Sequence, residues 1–161
     1  MSRYIRFAEP RSGLLARCLL VDDKAPHSAD FLWRLAQTRP TYDAIHAMWT
    51  GPELSCPLPA SVLPGEFAQI DLPPENASSF PRAGEIVLAY AAPGSIKGLP
   101  PGAFFDIGIF YGDGGRLFFP FGWLMANICA EIVPEDLAAA ETCIGGIRKN
   151  GACRLSIEPL D

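Results

Sequence analysis

Residues 104–119 read Phe104-Phe105-Asp106-Ile107-Gly108-Ile109-Phe110-Tyr111-Gly112-Asp113-Gly114-Gly115-Arg116-Leu117-Phe118-Phe119. Phe104 to Tyr111 is a short, strongly apolar run of the length of a strand rather than of a helix. Gly112 to Gly115 is a hairpin signal, because Gly and Asp tolerate positive φ at little cost. Arg116 to Phe119 then reads as the return strand.

The same alternation of strand and turn signals continues on both sides. Towards the N-terminus, Glu85 to Tyr90 reads as a strand, with a loop at Ala92 to Gly102. Tyr42 to Thr50 is expected to be a strand, with Ile45, Ala47 and Trp49 on one face and His46 and Met48 on the other. Gly51 to Gly84 is rich in Pro and Ser and reads as a long functional or packed loop holding a short strand near Phe67 to Ile70. Tyr4 to Phe7 and Leu14 to Val21 predict an N-terminal hairpin. Phe31, Leu32 and Leu35 repeat at helical spacing after Ser28, a plausible N-cap, with Asp30 in the first turn and Arg39-Pro40 as the stop. Towards the C-terminus, Asn127 to Val133 reads as a strand. A helix follows from Pro134, weakened or ended at Gly145-Gly146, and Arg154 to Glu158 closes the chain as a strand. Many short strands with two helices predict a mostly β single domain over 1–161. Its natural form is a closed antiparallel β-barrel plugged by helices, since closure removes exposed edges.

Composition narrows the function. The chain has 161 residues, 49% hydrophobic and 19% charged, with net charge -5 and no basic run. Nucleic acid and anionic membrane surfaces both demand clustered Lys and Arg, so neither is an expected partner. No apolar run approaches the roughly 20 residues that cross a bilayer, and the N-terminal residues show no signal core, so a cytoplasmic location is expected. Five cysteines, an odd number at wide spacing, argue against a disulfide framework. Cys56 is expected to be the accessible one. Nothing resembles a spaced metal-ligand set or a phosphate cradle, so no metal and no cofactor are expected.

Three stretches carry a resemblance: His46-Ala47-Met48-Trp49-Thr50-Gly51-Pro52-Glu53, Pro73-Pro74-Glu75-Asn76-Ala77-Ser78-Ser79 and Pro81-Arg82-Ala83-Gly84-Glu85-Ile86. With Tyr111-Gly112 and the segment Gly122 to Ile132, which holds Asn127, they resemble the bacterial domain-of-unknown-function 3830 family. That resemblance covers nearly the whole chain and implies a cyclophilin-like barrel. It implies no prolyl isomerase: the Arg-containing strand motif and the Gln-Phe-Phe segment of true cyclophilins are both missing, and fold does not confer function.

The residues suggest a small-molecule site at the barrel mouth. His46 is one of only two histidines and the better placed for proton transfer, since His27 precedes a helix and should face solvent. Glu53 and Glu75, held among Pro and small residues, are the candidate carboxylates, with His46 expected to pair with Glu53 and so to have a raised pKa. Trp49, Asn76, Ser79, Tyr111 and Asn127 are candidate substrate contacts. The expected chemistry is cofactor-independent acid–base work on a small polar metabolite. An amide or cyclic amide is suggested by analogy with cyclophilin-like proteins that resemble parts of amide-hydrolysing systems. The alternative is a non-catalytic subunit or homo-oligomeric binding module, in which the surplus aromatics of Phe104 to Trp123 are covered by a partner.

Overall fold

The computed structural model describes all 161 residues. Eleven strands are β1 Tyr4–Glu9, β2 Leu14–Leu20, β3 Thr41–His46, β4 Glu53–Pro59, β5 Ala77–Ser78, β6 Glu85–Ala91, β7 Phe104–Phe110, β8 Phe118–Phe119, β9 Gly122–Trp123, β10 Ala126–Ile132 and β11 Cys153–Leu160. The helices are α1 Pro26–Gln37, the single-turn α2 Gly65–Ala68 and α3 Pro134–Asn150, with a 3-10 turn at Ala60–Val62.

Eight strands pair in the order β2-β1-β11-β3-β4-β7-β6-β10, and β10 pairs back onto β2 through Ala130 opposite Leu20. Every pairing is antiparallel, so the sheet is a closed antiparallel barrel, as the strand count predicts. Alternation fills it: Ile5 and Phe7, Ala16 and Cys18, Leu54, Cys56 and Leu58, Ile86 and Leu88, and Phe105, Ile107 and Ile109 are all buried in one core. Phe31 of α1 stacks on Phe105 at 4.7 Å, and the buried face of α3 contributes Ala140, Ile144 and Ile147 to the same core. Side chains of this one core fill the barrel interior.

Local expectations fail where a neighbouring element overrides the local signal. The Gly112 to Gly115 turn does not return the chain onto β7. β7 pairs with β4 on one side and β6 on the other, leaving no edge for residues 116–119. Phe118 and Phe119 pair instead with Trp123 and Gly122 in a small separate hairpin. The supposed loop 51–84 contains a barrel strand, β4, despite Pro57 and Pro59. β3 covers only Leu54 and Ser55, so the second half of β4 leaves its β3 side unpaired, where a proline costs no ladder bond. Phe67 to Ile70 is no strand: Phe67 lies in the single-turn α2. β3 ends at His46 rather than Thr50. The helix α3 runs through Gly145-Gly146, anchored by buried Ile144 and Ile147 on either side, and ends at Gly151 with φ +89°. Each helical glycine costs about 1 kcal/mol relative to Ala, less than the anchoring of two buried isoleucines supplies.

Candidate functional site

Outward-facing residues of β4, β6 and β7 normally meet solvent. Here they carry Glu53 and Ser55, Val87, Ala89 and Ala91, and Phe104 and Asp106, and they form the floor of a hollow on the outer wall. The hollow encloses about 280 Å³. Its walls are the turn Ala47 to Thr50 after β3, Ile96 and Leu99 of the loop before β7, and the flap Leu117 to Leu124 built around β8 and β9. The flap is held at its base: Leu117 donates its N–H to the Ser79 carbonyl at 2.8 Å, and Ser79 Oγ donates to the Leu124 carbonyl at 2.9 Å. A second apolar cluster of Val87, Phe110, Leu117, Ala126 and Ile128 packs beneath it.

Two carboxyl groups lie at the floor of this apolar hollow. Glu53 is 6% exposed, and Oε1 accepts a hydrogen bond from Thr50 Oγ1 at 2.5 Å. The tight turn makes this possible. Gly51 adopts φ +89°, Glu53 N–H returns to the Gly51 carbonyl, and Ala47 N–H donates to the Glu53 carbonyl. Asp106, two residues along β7 from Gly108, receives Ser55 Oγ at 2.9 Å from either carboxylate oxygen. Burial pushes both acids well above the ordinary carboxylate range, and the charge of Asp106 raises Glu53 further, while Thr50 and Ser55 oppose the shift. No Lys or Arg lines the hollow. At neutral pH the pair therefore holds protons that isolated carboxyl groups would have lost, the condition for acid–base work or for binding a hydrogen-bonding group.

His46 borders the hollow but has no carboxylate partner. Its Nδ1–H donates to the Ala47 carbonyl at 2.8 Å, a carbonyl being able only to accept. That leaves Nε2 as the acceptor for Tyr111 O–H at 2.6 Å. Burial lowers the histidine pKa; the Ala47 bond opposes it in part, and the charge of Arg148 adds a smaller lowering. The expected His46–Glu53 ion pair and raised pKa are thus overturned. β3 stops at His46, so the strand alternation assumed through Thr50 does not apply, and both His46 and Trp49 reach the hollow. Beyond His46 and Tyr111 the surface opens into a second, polar depression bordered by Arg116 and Arg148.

The other candidates lie elsewhere. Glu75 binds the start of α1: Oε1 accepts Ser28 N–H at 2.6 Å and Oε2 pairs with exposed His27 at 2.9 Å. α1 has no side-chain cap of its own, so Ser28 is a buried first-turn residue rather than the N-cap, and Glu75 supplies the capping carboxylate from a distant loop. Buried Asn127 joins the same network, accepting Glu75 N–H at Oδ1 and donating to Ser28 Oγ and the Pro73 carbonyl. Asn76, at φ +47°, donates to the Ile128 carbonyl. Glu75, Asn76 and Asn127 therefore bind loop 73–76 to α1 and β10 and stand apart from Glu53, Trp49 and His46. Ser79 is the flap's anchor. Cys56 points into the core on β4 and is fully buried, not accessible; Cys143 is the one cysteine that is partly exposed. Sequence reasoning missed Asp106, whose signal was a lone acid at an outward position of an otherwise apolar strand.

No helix is long and apolar enough to cross a membrane. No curated protein matches the chain. Among solved structures, a chain described as McbB in complex with tryptophan superposes on 96% of this chain with a TM-score of 0.64 and 16% identity. That likeness shows the fold, and this chain spans 44% of the McbB chain. A family model matches residues 8–158, and the chain belongs to the family it describes, the protein of unknown function family DUF3830.

Proposed function

We propose that the outer-wall hollow binds a small molecule with an apolar body, anchored at its polar end by Glu53 and Asp106. The observation that carries this reading is the pair of proton-holding acids beneath an apolar, aromatic-lined hollow of ligand size. The bound tryptophan in McbB supports small-molecule binding by a barrel of this shape. For turnover, Glu53 and Asp106 replace the trio His46, Glu53 and Glu75 as the acid–base pair, with the amide or cyclic amide class as the first substrates to assay. His46, Trp49 and Tyr111 become wall and rim. The cyclophilin-like reading of the barrel rests on the family resemblance. A thermal-shift screen of a metabolite library tests the proposal, because a ligand of the folded state alone raises its stability. Compounds that stabilise the wild type and not Glu53→Gln or Asp106→Asn support it; stabilisation of all three alike, or of none, overturns it.

A second reading, self-association, draws on the flap's outer face. Phe118 and Trp123 pack at 4.9 Å and Trp123 and Phe80 at 5.3 Å, and all three are exposed. Light scattering that finds only monomer at high concentration removes this reading.

A further inference from the structure

We infer that the hollow's ligand is an organic cation: an amine whose ammonium group sits between Glu53 and Asp106 and whose apolar or aromatic body lies under the flap. This rests on the binding reading above and names its ligand class. The first observation is an imbalance of charge. Seven of the chain's arginines pair with a carboxylate, yet neither Glu53 nor Asp106 has a basic partner. Thr50 and Ser55 give each acid a hydroxyl donor, which satisfies an oxygen without supplying charge.

The second observation is what faces the pair from each surrounding element. From β3 comes His46, whose two nitrogens are already engaged by Ala47 and Tyr111. From β6 comes Tyr90, and the flap Leu117 to Leu124 has no ionisable side chain. On the loop before β7, Lys97 is exposed and outside the lining, while its neighbours Ile96 and Leu99 face in. The protein therefore brings no cation of its own. The third observation is the wall chemistry: Trp49, Phe104, Phe119 and Phe121 present rings, which hold both an apolar body and, through the ring face, an ammonium group. An ammonium head lets the acids ionise against a matching charge, whereas a neutral or anionic head meets them only while they keep their protons.

Binding then follows a balanced proton account. The ammonium group arrives with its proton, the acids give theirs to solvent, and the complex is an ion pair with charge-assisted hydrogen bonds. Calorimetric titration of the full chain at pH 7 with 2-phenylethylamine, 2-phenylethanol and phenylacetate tests this, run in two buffers of different ionisation enthalpy. The amine is expected to bind at least about tenfold more tightly than the alcohol, with proton release, and phenylacetate more weakly than both. The preference should fall to within about twofold in the double variant Glu53→Gln/Asp106→Asn, where no charged partner is left. If the alcohol or phenylacetate binds as tightly as the amine, the cation assignment is overturned and the binding reading stands. If none of the three binds, both fall. The wild-type series decides the matter even where the variant does not fold.

Discussion

The carboxyl of Glu53 lies over the α-carbon of Gly108, across the β4–β7 pairing and two residues along β7 from its direct partner Phe110. A β-carbon at position 108 would overlap Glu53 Oε2 and press on Val87 Cγ2. Gly108→Ala is therefore expected to displace the carboxyl and to destabilise the fold by about 1–3 kcal/mol, the usual cost of overpacking. Urea denaturation at pH 7 reads the effect, and a midpoint equal to wild type would show that the strand yields freely. Ligand stabilisation should be lost in the same variant.

The acid pair predicts a sign for stability against pH. Glu53 and Asp106 hold protons more tightly folded than unfolded, where their ordinary values are 4.5 and 3.8. From those values up to the raised folded ones, the native chain carries the extra protons. Stability therefore falls as pH rises through that window and levels off above it. Glu9 and Asp136 act oppositely: Ser12 and Arg11 outweigh the burial of Glu9, and Arg17 stabilises the Asp136 carboxylate, so both are held low and weaken the fold only as pH drops. Comparing wild type with Glu53→Gln isolates the pair. The variant should gain on wild type by at least about 1 kcal/mol between pH 4 and pH 8.5, the worth of a shift of about one unit. A constant difference across that range would contradict the raised values.

His46 is expected to stay neutral at pH 7 with its proton on Nδ1. Nitrogen-15 NMR should find a titration below 6.5 and the Nδ1–H tautomer. Tyr111→Phe removes the donor to Nε2 and should cost about 1 kcal/mol. A midpoint above 6.5 would restore a carboxylate partner that the geometry does not provide.

Glu75 and Asn127 separate stability from binding. Glu75→Ala leaves α1 without its capping carboxylate and should cost about 1–2 kcal/mol. Asn127→Ala leaves Ser28 and Glu75 N–H without partners and should cost about 1–3 kcal/mol. Ligand affinity at the hollow should be unchanged in both, measured well below their melting temperatures. A loss of affinity without a loss of stability would place them in the site after all.

Thiol labelling checks the core. Cys18, Cys56, Cys129 and Cys153 are buried, with burial pushing each thiol pKa up. One thiol, Cys143, should react with a disulfide reagent in the native chain, and five in denaturant. Native labelling of Cys56 would mean that β4 is not docked in the barrel.

What the sequence determined by itself was whatever depends on near neighbours and on alternation. Apolar residues at every second position of β1, β2, β7 and β11, and the spacing of Phe31, Leu32 and Leu35, are written locally, so the mostly β class, the barrel and both long helices were legible. Tertiary structure decided what depends on which elements meet. β4 is a strand because β7 offers it seven partners, a fact its prolines conceal. Glu75 and Asn127 hydrogen-bond to Ser28 because α1 arrives beside them from about fifty and a hundred residues away. Glu53 was recognisable as a candidate, but its partner was not His46, seven residues off. It was Asp106, fifty-three residues on, and only barrel closure brings those two acids to one floor: strand pairing fixes neighbours that sequence distance cannot, and burial then sets their charge.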